Sequence, residues 1–384
     1  MGNTDTEEEA MAIIQVGTRK GLFAYKKKGS GVWTMSNRQF VGDPVNLVMK
    51  DPRDGSLYAV LDLEHYGTKL RRSKDGGFTW EEIGVPEYPS ELPLEKMPSP
   101  DPEDAGREYQ PKLEKIWALA PGLVGQPGVL WCGTIPGGLF KSEDLGASWT
   151  LVHELWNKEE RKVWMGGGQP YPAIHSICVD PKDGDDIVIG VSIGGAWRTR
   201  DGGKTWAPAS MGMFAEYVGD PDLAKDPNVQ DPHLIVQSPT NPSILWTQHH
   251  NGVYRSSDRG TSWSESEGLS PSSFGFVVCI HPYDANSVWL VPAEKDEMRV
   301  PVDGKVVVNR TVDGGDTWET ITEGLPQDDA YDIVLRHAMN VDPTGQVLAF
   351  GSTTGSLWVS EDQGEEWSTL SHHLPPIYCV VLTQ

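Results

Sequence analysis

The sequence predicts an all-β fold: a seven-bladed β-propeller of four-stranded antiparallel blades, its ring closed by the C-terminal strand joining the N-terminal blade. Three observations carry that prediction. One eight-residue phrase recurs six times along the chain. Glycine and proline are abundant, 42 and 29 of 384 residues, and no long amphipathic helix interrupts the turns. The two ends of the chain supply complementary parts of a single blade.

The phrase is seen well at Thr199-Arg200-Asp201-Gly202-Gly203-Lys204-Thr205-Trp206. The other copies run from Ser73 to Trp80, Ser142 to Trp149, Ser256 to Trp263, Thr311 to Trp318 and Ser360 to Trp367. Their pattern is [Ser/Thr]-x-Asp-x-Gly-x-[Thr/Ser]-Trp, with Glu366 the one departure at the seventh position. An apolar run precedes each copy, as at Gly138-Leu139-Phe140 and Ser356-Leu357-Trp358. A strand entering a tight turn and leaving at a Trp is a hairpin. The Asp accepts hydrogen bonds from its own turn, the Gly takes a positive φ, and the Trp buries its ring at the start of the returning strand.

Each unit follows one plan: an inner strand ending near Pro, a second strand, a third strand, the phrase, and a fourth strand. Inner strands start at Val45, near Lys115, at Ala173, at His233, at Phe276 and near Arg336. The N-terminus departs from the plan. Ile13 to Gly17, Leu22 to Lys26 and Trp33 to Ser36 read as second, third and fourth strands, with Lys27 to Gly31 a decayed copy of the turn that lacks its Asp. Ile377 to Leu382 reads as an inner strand with nothing after it. Blade 1 is therefore expected to be shared between residues 11–40 and 376–384, within one propeller domain over 11–384. Residues 1–10 are polar and acidic and are expected to be disordered.

The formal net charge of −23 argues against nucleic acid and against an anionic membrane as partners. No signal peptide and no membrane-spanning run is legible. Cys132, Cys178, Cys279 and Cys379 all lie in apolar strand patterns. They read as buried thiols of a reducing compartment, which gives the expectation of a cytoplasmic protein.

Five connections are too long for turns: Pro86 to Pro111, Trp156 to Pro172, Met213 to Pro232, Ala293 to Lys305 and Glu323 to Leu335. All are links from blade to blade or from second to third strand. Both kinds emerge at the mouth of the central channel, so the elaboration is one-sided and that side is where a ligand is expected.

Aligning inner strands on their terminal Pro singles out the position six residues earlier. It holds His175, His233 and His337, and elsewhere Asn46, Lys115 and Phe276; Tyr378 takes it in blade 1. The second-to-third-strand links add Glu64, His65, His249, His250 and Arg19 to the same face. Three histidines at pseudo-equivalent positions make a candidate metal set for zinc, copper or iron. Equally, His175, His233 and His337 with Glu64 and Tyr378 make candidate catalytic groups of a metal-free pocket, with His65, His249, His250, Arg19, Lys115 and Asn46 as substrate-binding groups. Purely structural histidines, bonding neighbouring backbone near the crowded axis, are the third reading.

The six phrases resemble the Asp-box, or bacterial neuraminidase repeat, of sialidase, xyloglucanase, sortilin and photosystem-assembly-factor propellers. Val16 to Phe23, Gly133 to Phe140 and Gly351 to Trp358 are similar to a group of cytosolic bacterial propellers labelled glycosyl hydrolase or exo-α-sialidase. The resemblance implies a propeller with a small-molecule or carbohydrate pocket at the channel mouth, in a hydrolase or lyase; the assembly-factor members imply a protein-interaction scaffold as the alternative. The arginine triad of true sialidases is not recognisable, since Arg72, Arg198 and Arg255 adjoin the repeated turns; only Arg19, Arg299 and Arg336 can reach the channel.

Overall fold

A computed structural model of the chain describes residues 12–29, 31–99 and 103–383. The segment 1–10 lies outside the described residues. Seven four-stranded antiparallel sheets form the blades of a propeller. Their inner strands, in blade order, are Ile377–Thr383, Val45–Lys50, Lys115–Pro121, Ile174–Val179, Pro232–Gln237, Gly275–Ile280 and Met339–Val341. In blade 1 the C-terminal strand pairs with Ile13–Thr18, from Ile13 opposite Thr383 to Thr18 opposite Ile377. The last strand of the chain thus fills the inner place that the first strands leave open and completes the seventh four-stranded blade. No helix among the described residues is long and apolar enough to cross a membrane.

The repeated phrase builds the same turn each time. In blade 4, Asp201 accepts the Thr205 N–H on Oδ1 at 2.8 Å and the Thr205 hydroxyl on Oδ2 at 2.6 Å, while the Thr199 hydroxyl accepts the Gly203 N–H at 2.9 Å. The fourth and fifth residues both have positive φ, 69° at Gly202 and 95° at Gly203. Leu145, Arg259 and Gln363 occupy the fourth position with φ of 61–64° despite their side chains. Glu366 keeps the backbone bond to Asp362 at 3.1 Å, which is why its departure from Thr or Ser is tolerated.

Three of the tryptophans that close these turns also tie blades together, while Trp80 and Trp206 donate to Gly77 and Gly203 of their own turns. The Trp149 indole N–H donates to the Gly84 carbonyl of blade 2, Trp263 to Ala209 of blade 4, and Trp318 to Ser266 of blade 5. Between the sheets lie fully buried aromatic rings, among them Trp131, Trp197, Trp246, Trp289 and Trp358. The four cysteines are free and buried. Burial pushes the thiols of Cys178, Cys279 and Cys379 up to about 12.

Inner strands share one irregularity that positions the site. Near its entry, each of blades 1 to 6 carries a bulge, where the register slips by one residue. The bulged residues are Tyr378, Asn46, Trp117, His175, His233 and, in blade 6, Phe276 with Val277. A bulge releases its residue from the ladder and re-aims the side chain, here at the channel mouth. Blade 3 corrects the sequence alignment. Lys115 pairs regularly with Ile135, and the equivalent residue is Trp117. Pro121 misled the alignment because it lies inside its strand, opposite Leu130, rather than just beyond it.

Candidate functional site

Antiparallel topology puts the inner-strand entries, the second-to-third-strand links and the blade-to-blade links at one end of the ring. Two lobes of a depression open there. The smaller, of about 390 Å³, lies over blades 1, 2, 3 and 7 and is lined by Arg19, Asn46, Asp62, Glu64, Lys115, Trp117, Arg336, His337 and Tyr378. The larger, of about 620 Å³, lies over blades 4, 5 and 6 and is lined by Tyr217, Asp231, His233, His250, Phe276, Asp296, Glu297 and Arg299, with Trp117, Leu335 and Arg336 again. Those last three residues are the partition between the lobes.

The partition is a stack of cations and rings. The Arg336 guanidinium carbon lies 5.7 Å from the Trp117 ring centre and 5.5 Å from that of Phe276. The Lys115 ammonium lies 5.6 Å from Trp117, and Arg299 lies 5.2 Å from Phe276. The His233 ring stacks on Phe276 at 4.7 Å with 18° between planes. Cations over ring faces are attracted by the aromatic quadrupole, which fixes long side chains that otherwise sweep solvent. Burial lowers the Arg336 pKa to about 10, with Asp231 pulling it the other way.

In the smaller lobe, Lys115 is ion-paired with Asp62 at 3.2 Å, and the Asn46 amide donates to the same carboxylate at 3.2 Å. Glu64 stands at the rim with φ 51°, and its carboxylate makes no hydrogen bond or ion pair among the described residues. Tyr378 is half-buried, and burial raises its phenol pKa, with Arg19 opposing.

In the larger lobe, Asp231 is central. Its Oδ1 accepts the Ile193 N–H at 3.3 Å. Its Oδ2 lies 3.6 Å from His233 Nε2 and 3.5 Å from His250 Nδ1. The His233 Nδ1–H donates to the Gly275 carbonyl at 2.6 Å, which leaves Nε2 as the bare nitrogen of the neutral ring. Burial lowers the His233 pKa despite Asp231. For His250 burial also acts downward, but Asp231 and Asp296 outweigh it and the pKa rises. Burial alone would raise the Asp231 pKa; the two imidazoles and Arg336 overcome it and hold the carboxyl well below its usual range.

The three pseudo-equivalent histidines do not share a centre. The His337 Nε2–H donates to the His175 carbonyl at 3.2 Å, and His175 Nδ1 lies 2.8 Å from the Ser176 hydroxyl, deeper in the channel. Among the described residues the only convergent group of three ligand atoms is Asp231, His233 and His250, all within 4.8 Å of one another. The trio His175, His233 and His337 is thereby corrected: the three rings turn toward different neighbours, Ser176, the Gly275 carbonyl and the His175 carbonyl. Burial lowers the His175 pKa well below its usual value and lowers that of His337 to about 4.

Two other candidates lie outside the depression. His249 is buried edge-on to Tyr254, 5.3 Å between centres, with the backbone N–H groups of Asp231 and Asn251 facing its ring nitrogens. Strand alternation sends it away from His250. His65 is exposed and packs on Tyr66 at 4.2 Å.

Asp231 and Trp117 were not singled out from sequence. Both carry the same signal: two residues apart along an extended chain share a face, as Asp231 does with His233 and Trp117 with Lys115.

No family model matches the chain. It is 26% identical over 182 residues to a xyloglucanase of Acetivibrio thermocellus, covering 40% of this chain and 21% of that protein. It is 23% identical over 227 residues to a probable oligoxyloglucan-reducing end-specific xyloglucanase of Neosartorya fischeri, covering 52% and 26%. The matched stretches therefore span about a quarter of those relatives. Among solved structures, a GH74 enzyme of Niastella koreensis superposes with TM-score 0.59 at 17% identity, over 92% of this chain and 53% of that one. A putative 6-phosphogluconolactonase of Bacteroides fragilis gives TM-score 0.55 at 12% identity over 99% of both chains. At such identities the structural likeness establishes the propeller fold alone.

Proposed function

We propose that the chain is a glycosidase-like hydrolase that binds a carbohydrate at the channel mouth, in the smaller lobe. The observation that carries this reading is the half-buried Trp117 ring in the wall of the lobe, which shares the lining with the hydrogen-bonding groups of Lys115, Asp62 and Asn46. A sugar presents an apolar face that lies on an aromatic ring and hydroxyls that need directed polar partners. The sequence likeness to xyloglucanases supports the same substrate class.

Within this lobe Glu64 is the carboxylate free to exchange a proton with the glycosidic oxygen or with an attacking water. Asp62, held by Lys115 and Asn46, orients hydroxyls and stabilises positive charge developing on the sugar. Arg19 and Tyr378 close the blade-1 side. A screen of xyloglucan and other plant oligosaccharides by reducing-end release tests the reading. Hydrolysis by the wild type that falls about 100-fold or more in Glu64→Gln is expected, in line with the usual worth of a general acid or base. Equal rates in the two proteins would refute the role of Glu64, and no turnover of any glycan would refute the hydrolase.

A further inference from the structure

We infer that Asp231, His233 and His250 form a mononuclear site for a divalent first-row transition metal, open to the larger lobe. The inference goes beyond the hydrolase reading and does not depend on it.

Distances carry the first part. Asp231 Oδ2 sits 3.6 Å from His233 Nε2 and 3.5 Å from His250 Nδ1. Good N–H···O bonds are about 2.7–3.2 Å, so neither contact is a good hydrogen bond. Ligand bonds of about 2.0–2.2 Å in tetrahedral geometry place neighbouring donors roughly 3.3–3.6 Å apart. The two separations from Oδ2 are those of neighbouring donors around an ion rather than of donor against acceptor, and all three ligand atoms lie within 4.8 Å of one another, the span that a bound ion would draw together.

Orientation carries the second part. The Gly275 carbonyl takes the only N–H of the neutral His233 ring at 2.6 Å, so the lone pair of Nε2 points at the site. The Ile193 N–H holds Asp231 Oδ1 at 3.3 Å, which turns Oδ2 inward. Such backbone partners behind ligands fix their tautomer and direction in metal sites generally. Asp231 and His233 are both nearly fully buried, with side chains 6% and 3% exposed. A carboxylate so placed needs positive charge, which Arg336 supplies from further off and a bound ion would supply at Oδ2 itself.

Two imidazoles and one carboxylate select zinc, iron(II) or a neighbouring first-row ion over calcium or magnesium, which prefer all-oxygen sets. Three protein ligands leave a position open, as in catalytic sites. The open side shares its lobe with Arg299 and Arg336, so the exogenous ligand that fits is an oxygen donor bearing negative charge.

Protein expressed without an affinity tag, stripped with chelator and titrated with cobalt(II), tests the site through the visible bands of the bound ion. One equivalent per chain is expected, displaced by zinc. His250→Ala, whose side chain is 20% exposed and thus the mildest change, should weaken binding at least about tenfold. Asp231→Asn is the isosteric second variant, with melting temperature recorded on each metal-free protein. His372→Ala/His373→Ala removes an exposed pair far along the chain and should leave the titration unchanged. Absence of cobalt bands, affinity unaltered in both site variants, or loss of binding in the surface pair would each overturn the assignment.

Discussion

The Arg336 guanidinium stands 5.7 Å from the centre of the Trp117 ring, and this contact joins two lobes that arise from opposite sides of the propeller. Arg336 comes from the blade 6 to 7 link and Trp117 from the bulge of blade 3. Truncating either should loosen both lobes. Trp117→Ala is expected to weaken oligosaccharide binding about tenfold, the order of an aromatic platform contact. Arg336→Met should leave the melting temperature within a few degrees and still reduce affinity. Calorimetric titration of the two variants checks this; unchanged affinity in Trp117→Ala would remove the platform.

The repeated turns make stability acid-sensitive. Hydrogen bonds from Thr79, Thr205 and Thr317 hold Asp75, Asp201 and Asp313 at about 2, below the ordinary 3.8. A carboxyl depressed in the folded state stabilises above its unfolded pKa, and that contribution is lost as pH falls from about 4 to about 2. Melting temperatures across that window should drop more steeply for the wild type than for Asp201→Asn, which starts lower at pH 6. Parallel curves would show that Asp201 does not contribute through its charge.

Non-glycine residues at the fourth turn position offer a stabilising change. Gln363 has φ 64° where other copies have Gly76, Gly202 and Gly314. Left-handed backbone costs an L-residue about 1–2 kcal/mol, against a glycine entropy penalty of about 0.5–1 kcal/mol. Gln363→Gly should gain about 0.5–1 kcal/mol in denaturant unfolding. A loss would mean that the side chain compensates in a way its exposed position does not reveal.

One buried ion pair pins the longest insertion. Arg161 lies over Trp156 at 3.6 Å, donates to the Trp156 carbonyl at 2.6 Å and meets Glu95 at 2.7 Å. Glu95 belongs to a small hairpin with Glu108–Tyr109 inside the 86–111 link. Glu95→Ala leaves the guanidinium unpaired, at a cost of about 3 kcal/mol. Limited proteolysis should then cut within 86–111 much faster, while the blades resist; equal cutting rates would show that the link is held by other contacts.

The fold was legible because its signal is local. Each turn bonds within five residues, so the phrase survives as spacing in the chain, and the Ile377–Thr383 strand could be assigned from what the N-terminus lacks. The site was legible only as a region. Bulges at His175, His233 and Trp117 set where side chains point, and no sequence spacing encodes a register slip. His249 and His250 are adjacent letters, yet one braces a turn and the other faces Asp231. Arg336 reads as an arginine able to reach the channel and proves to be part of the partition, because its partners come from blades 3 and 6.

The most direct measurement is a crystal structure of Glu64→Gln soaked with the oligosaccharide returned by the hydrolysis screen. The expected result is a sugar ring lying on Trp117, with hydroxyls on Asp62, Lys115 and Asn46. Ordered sugar elsewhere on the propeller, with the Trp117 lobe holding only water, would contradict the placement of the substrate at the channel mouth.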